Sequence, residues 1–108
     1  MSLEDEGWVR VGTRSEFLPG EYKLVFDGDT PIAVYNIDGV LYAIEDTCTH
    51  DGGDLAGGDV FGFEVECPRH GARFDVRTGE VTRPPALEPI ASFPVREEAG
   101  AIWTRDDR

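Results

Sequence analysis

Two short boxes in this 108-residue chain carry side chains able to hold a transition metal: Cys48-Thr49-His50 and, sixteen residues further on, Cys67-Pro68-Arg69-His70. The chain contains two cysteines and two histidines, and all four fall inside these boxes. Thiolate and imidazole are the side chains that bind soft and borderline metals. Four such residues placed independently would rarely gather this way. The pattern reads as one four-ligand metal site made of Cys48, His50, Cys67 and His70.

The ligand types leave more than one metal open. Two cysteines and two histidines can hold a tetrahedral zinc, although structural zinc sites usually space their cysteines by roughly two to four residues and bring the histidines as a later pair. A disulfide between Cys48 and Cys67 would account for the cysteines and leave the histidines unexplained. Here each box supplies one ligand of each kind. That division suits a two-iron cluster with thiolates on one iron and imidazoles on the other. The iron–sulfur reading accounts for all four residues, with zinc, the disulfide and an empty loop pair as its rivals.

The flanks of the boxes carry a resemblance. The run Cys48-Thr49-His50-Asp51-Gly52-Gly53-Asp54-Leu55, with Cys67-Pro68-Arg69-His70-Gly71-Ala72-Arg73-Phe74-Asp75 and Thr78-Gly79, resembles a Rieske-type ferredoxin. The similarity continues through Pro84-Pro85 to the C-terminus and more weakly back to Trp8. It implies a 2Fe-2S cluster held by Cys48, His50, Cys67 and His70, in loops at about 46–58 and 66–75 of a single 1–108 domain. It also implies a one-electron carrier, reduced by an NAD(P)H-linked flavoprotein reductase and oxidised by the terminal oxygenase of a multicomponent ring-hydroxylating system. Leu55 and Pro84-Pro85 match positions that cover the cluster in the family. High-potential respiratory members add a cysteine to each box and hydroxyl donors near the cluster. This chain has Gly53 and Arg69 in the first neighbourhoods and Ala72 and Phe74 in the second, so it resembles the ferredoxin branch.

The elements that must position the boxes are strands. Trp8–Val11 alternates, and Thr13–Gly20 reads as a turn or a single helical turn. Glu21–Phe26 is strand-like. Ile32–Ile37 and Val40–Ile44 flank Asp38-Gly39, a pair suited to a tight hairpin because both turn residues need positive φ. That hairpin feeds the first box through Glu45-Asp46-Thr47. The spacer 51–62 carries five glycines and reads as loop. Phe63–Glu66 then delivers the second box. Residues 73–76 and 80–82 suggest a hairpin about Thr78-Gly79, and 90–95 with 101–104 suggest another about Ala99-Gly100. No stretch of ten or more residues has a helical period. The expected fold is all-β, with antiparallel sheets forming a sandwich or small barrel and the two cluster-binding loops at one end.

Bulk properties narrow the functional classes. Forty per cent hydrophobic residues describe a folded globule, and the length suits one modest core. No apolar run approaches the roughly 20 residues of a membrane helix. The acidic N-terminus lacks a secretory pattern, so a soluble, cytoplasmic protein is expected, in a compartment that keeps thiols reduced. The net charge of −12 argues against nucleic acid. It serves either as a solubility surface or as a field that steers docking onto a basic partner. Arg69 and Pro85, beside the boxes, are expected to shape that docking. No nucleophile has a histidine to spare, so an enzyme is not expected. The rival functions are an accessory role in iron–sulfur assembly or redox sensing, and a zinc-stabilised interaction module.

Overall fold

The computed structural model describes residues 3–49 and 51–108. Its regular elements are eleven strands and two single 3-10 turns, at Glu4–Glu6 and Arg14–Glu16. The strands are β1 (Val9–Gly12), β2 (Tyr22–Asp27), β3 (Thr30–Ile37), β4 (Val40–Glu45), β5 (Val60–Phe61), β6 (Glu64–Glu66), β7 (Arg73–Asp75), β8 (Val81–Arg83), β9 (Ser92–Phe93), β10 (Val95–Glu98) and β11 (Ala101–Thr104). They form three antiparallel sheets, ordered β1-β11-β10, β2-β3-β4-β9 and β5-β6-β7-β8.

The β3–β4 hairpin organises the molecule. Asp38 and Gly39 have φ of 54° and 90°, the two positive values that the turn needs. The Asn36 side chain adds a local lock, accepting from the Gly39 amide at 2.8 Å and donating to the Phe17 carbonyl at 2.7 Å. Alternate residues of β3 then enter two different cores. Ile32 and Val34 pack with Ala43, Phe93, Phe17 and Ile102 on one side. Ala33 and Tyr35 pack with Ile44, Val65, Phe74 and both cysteines on the other. A strand covered on both faces loses the polar alternation of a half-exposed one, which explains the apolar run Ile32–Tyr35.

Three boundaries depart from the sequence expectations. The expected strand 90–95 is split: Ser92–Phe93 pairs with β4, while Val95–Glu98 pairs with β11. Pro94 stands between them; without an N–H it cannot continue a ladder, and the chain changes sheets there. The glycine-rich spacer also contains β5, which pairs with β6 through Val60↔Val65. At the second box, Arg73–Asp75 is strand β7 and so belongs to the frame, not to the loop. The other turns lie as expected, with Ala99 and Gly100 at φ of 55° and 76°.

Candidate metal centre

Both cysteine boxes fold into the same closed turn. In the first, the Cys48 amide donates to the Gly53 carbonyl at 2.7 Å, and the Gly52 amide donates to the Cys48 carbonyl at 2.7 Å. In the second, the Cys67 amide donates to the Ala72 carbonyl at 2.7 Å, and the Gly71 amide to the Cys67 carbonyl at 3.1 Å. Each cysteine is thus bonded to residues four and five positions later. The fourth position needs a left-handed backbone, and glycine supplies it in both, with φ of 77° at Gly52 and 78° at Gly71. We call these two turns knuckles.

Each knuckle hangs from the frame at its base. The first follows β4, and the buried Asp46 carboxylate fixes the far side of its loop. Asp46 Oδ1 accepts from the amides of Leu55 at 2.8 Å and Ala56 at 2.7 Å. The second knuckle spans the β6–β7 connection. The segment after β8 closes against the first box, where Thr49 Oγ1 donates to the Glu88 carbonyl at 2.6 Å. A shallow hollow lined by Thr49, Pro85, Leu87 and Glu88 marks that contact.

The ligand side chains divide by environment. Cys48 and Cys67 are 0% and 1% exposed and share an apolar cluster with Leu55, Ala72, Phe74 and Ala86. Their sulfurs and a carboxylate oxygen of Asp51 all lie within 4.8 Å of one another. No disulfide joins the two cysteines, so the disulfide rival does not account for them. The His70 side chain is 57% exposed, with Nδ1 3.7 Å from Asp51 Oδ2. The fourth expected ligand, His50, lies outside the described residues. Two unbridged thiols side by side in an apolar wall, with an imidazole on the solvent side, fit a group that takes thiolates on one iron and imidazoles on the other. The environment also bears on potential: Ala72 and Phe74, both fully buried here, bring no hydroxyl toward the thiols.

Two carboxylates beside the first box carry roles that the sequence does not mark: Asp46, two residues before Cys48, and Asp51, next after His50. Arg69, expected to shape docking, is exposed and also reaches across to Asp51 on the other knuckle. A charge reversal at Arg69 therefore perturbs loop geometry as well as any docking surface.

Comparison with known proteins agrees with this geometry. Residues 7–94 match the family model described as the Rieske [2Fe-2S] domain. The chain is 35% identical to Ferredoxin CarAc of Metapseudomonas resinovorans over 102 residues, covering 94% of this chain and 95% of that one. It is 42% identical over 84 residues to the biphenyl dioxygenase ferredoxin subunit of Pseudomonas sp. (strain KKS102), covering 77% of each. A solved chain from the complex of reduced oxygenase and oxidized ferredoxin in carbazole 1,9a-dioxygenase superposes with a TM-score of 0.86 at 36% identity, over 92% of this chain and 93% of that one. The paired knuckles, their buried thiols and this match over most of the length carry one conclusion: the chain belongs to the Rieske [2Fe-2S] domain family.

Proposed function

We propose that the protein is a one-electron carrier, accepting from an NAD(P)H-linked flavoprotein reductase and delivering to the terminal oxygenase of a ring-hydroxylating system. The observation that carries this reading is the asymmetry of the site: thiols walled in by apolar side chains, and an imidazole open to solvent. The 2Fe-2S cluster, when bound, supplies the one-electron couple. Cys48 and Cys67 would hold it from the apolar side and His70 from the solvent side, with His50 as the fourth ligand that the motif implies. Leu55, Ala72 and Phe74 keep water from the thiolates, and the His70 edge offers the shortest route out for an electron. The names of the similar proteins, a ferredoxin, a dioxygenase ferredoxin subunit and a ferredoxin in complex with its oxygenase, support the same role. A carrier of this kind does no bond chemistry of its own. The whole chain 1–108 acts as one domain in this reading, and it works in the cytoplasm, where reduced thiols remain available to metal.

Docking for such a carrier is brief and small. The net charge of −12 supplies speed through long-range attraction to a basic entrance on the partner. Stopped-flow electron transfer to a purified terminal oxygenase tests the proposal. Raising salt from about 10 mM to about 500 mM shortens the Debye length from roughly 30 Å to a few ångströms, so the rate is expected to fall at least about tenfold. Pro85→Ala, beside the first knuckle, is expected to slow transfer with the cluster spectrum intact. No transfer to any oxygenase of this class would overturn the function, and a salt-independent rate would overturn the steering.

The apolar surroundings also predict a low potential. Without hydroxyls at positions 72 and 74, the oxidised form is favoured, and film voltammetry is expected to give about −150 mV, near the lower end of Rieske centres. Phe74→Tyr is expected to move it upward where the new hydroxyl meets a cluster ligand. A wild-type value above roughly +200 mV would contradict this account of the site.

A further inference from the structure

The knuckles are also joined by contacts that none of the ligands makes. From the second knuckle, Arg69 donates from Nε to Asp51 Oδ2 at 2.6 Å and from Nη2 to Asp51 Oδ1 at 3.1 Å. Its Nη1 donates to the Asp54 carbonyl at 2.9 Å. One planar fork therefore spends three donors on the first knuckle and the residue beyond it, a geometry that lysine cannot copy. The guanidinium lies over Gly53. A Cβ placed there would sit 2.6 Å from Nη2 and 2.7 Å from Nε, far inside van der Waals contact. Gly53 has no left-handed backbone, so the excluded side chain reflects the guanidinium's position alone.

The same pair sits in the field of the thiols. Asp51 brings a carboxylate oxygen within 4.8 Å of both sulfurs. Arg69 donates two hydrogen bonds to that same carboxylate. The two charges thus hold each other in place and flank the thiols with opposite signs.

We propose that Arg69, Asp51 and Gly53 form a non-covalent strap that locks the two knuckles in register around the cluster. Arg69 and Asp51 are positioning residues that set how firmly the cluster is held. Gly53 is the socket that lets the guanidinium reach across. This rests on the reading that both knuckles hold one cluster. It goes further by assigning the rigidity of the pair to residues that are not ligands.

The test compares Arg69→Gln, Asp51→Asn, the double variant, Arg69→Lys and Gly53→Ala with the wild-type holoprotein. Cluster release is followed as bleaching of visible absorbance under a ferrous chelator. Amide hydrogen exchange is measured at 48–53 and 67–72, and potential by film voltammetry. Each single variant is expected to release the cluster about three- to fivefold faster, the scale of losing one partly exposed ion pair. The double variant is expected to match the singles, because either change already breaks the same contact. Gly53→Ala keeps both charges and is expected to do the same by filling the socket. Arg69→Lys is expected to hold its potential yet lose the strap. Arg69→Gln should lower the potential and Asp51→Asn raise it, opposite signs that general loosening would not give. Singles that release the cluster at the wild-type rate, or effects that simply add in the double variant, overturn the strap. A wild-type protein that carries no cluster would defeat the functional reading instead. Exchange at the two knuckles would then decide the strap, with unchanged protection in Arg69→Gln and Gly53→Ala overturning it.

Discussion

Cys48→Ser and Cys67→Ser proteins are expected to purify colourless, with neither iron nor acid-labile sulfide, and the wild type to purify brown with two irons and two sulfides per chain. The two substitutions should be equally severe. Each thiol is buried in the same apolar wall, and each sits at the root of its own knuckle. Serine offers a hard oxygen that does not ionise near neutral pH, so it cannot replace thiolate toward iron. Metal binding free energy is also folding free energy for loops that the metal joins. Both variants are therefore expected to melt earlier than the holoprotein, with fast hydrogen exchange confined to the two knuckles and the 84–89 segment. Iron and sulfide analysis with visible absorption checks the first part. Full occupancy in either variant would remove that cysteine from the ligand set. One zinc and no sulfide in the wild type would replace the cluster itself.

Asp46→Ala is expected to give the largest loss of stability from a residue that touches no ligand. Its buried carboxylate accepts the amides of Leu55 and Ala56, and Leu55 is fully buried against the cysteines. Removing the acceptor strands two donors in a site that water does not easily reach, at about 1–3 kcal/mol each. A total near 3 kcal/mol would lower the melting temperature by roughly 10–20 °C in a domain of this size. Asp46→Asn keeps one oxygen acceptor and is expected to cost about 1 kcal/mol. Calorimetry on the apo and holo forms distinguishes the two. An alanine variant as stable as wild type would mean that the amides find other acceptors, and Asp46 would lose its place as the anchor of the first loop.

The lesson of Asp46 is general to this fold. Nothing in Glu45-Asp46-Thr47 marks the middle carboxylate as buried, because its partners lie nine and ten residues further on. Its neighbour in type, Asp106, looks the same in sequence. There the side chain lies near the surface, and hydrogen bonds from Arg108 and Thr30 hold it below the usual carboxylate range. Acids of one kind acquire different roles only when the chain brings donors to them.

The chemistry of the site and the tight turns are legible in single residues and their spacing. Thiols and imidazoles are scarce and chemically distinctive, so two Cys/His boxes mark a four-ligand metal site before any fold is known, and the flanking residues add the resemblance that implies a 2Fe-2S cluster. Asp38-Gly39 and Ala99-Gly100 are equally local, because positive φ is a property of single residues. Tertiary structure alone decided which strand would be covered on both faces, since the apolar run of β3 is compatible with either a one-sided or a two-sided neighbour. It decided that the chain changes sheets at Pro94 and that Val60–Phe61 adds a strand inside a glycine-rich spacer. It also decided that Arg69 crosses to Asp51. That pair is separated by eighteen residues, and a charged side chain on a loop tip carries no local sign of its partner. Long-range pairings depend on where the frame delivers the loops, and β4, β6 and β7 deliver these two knuckles to the same place.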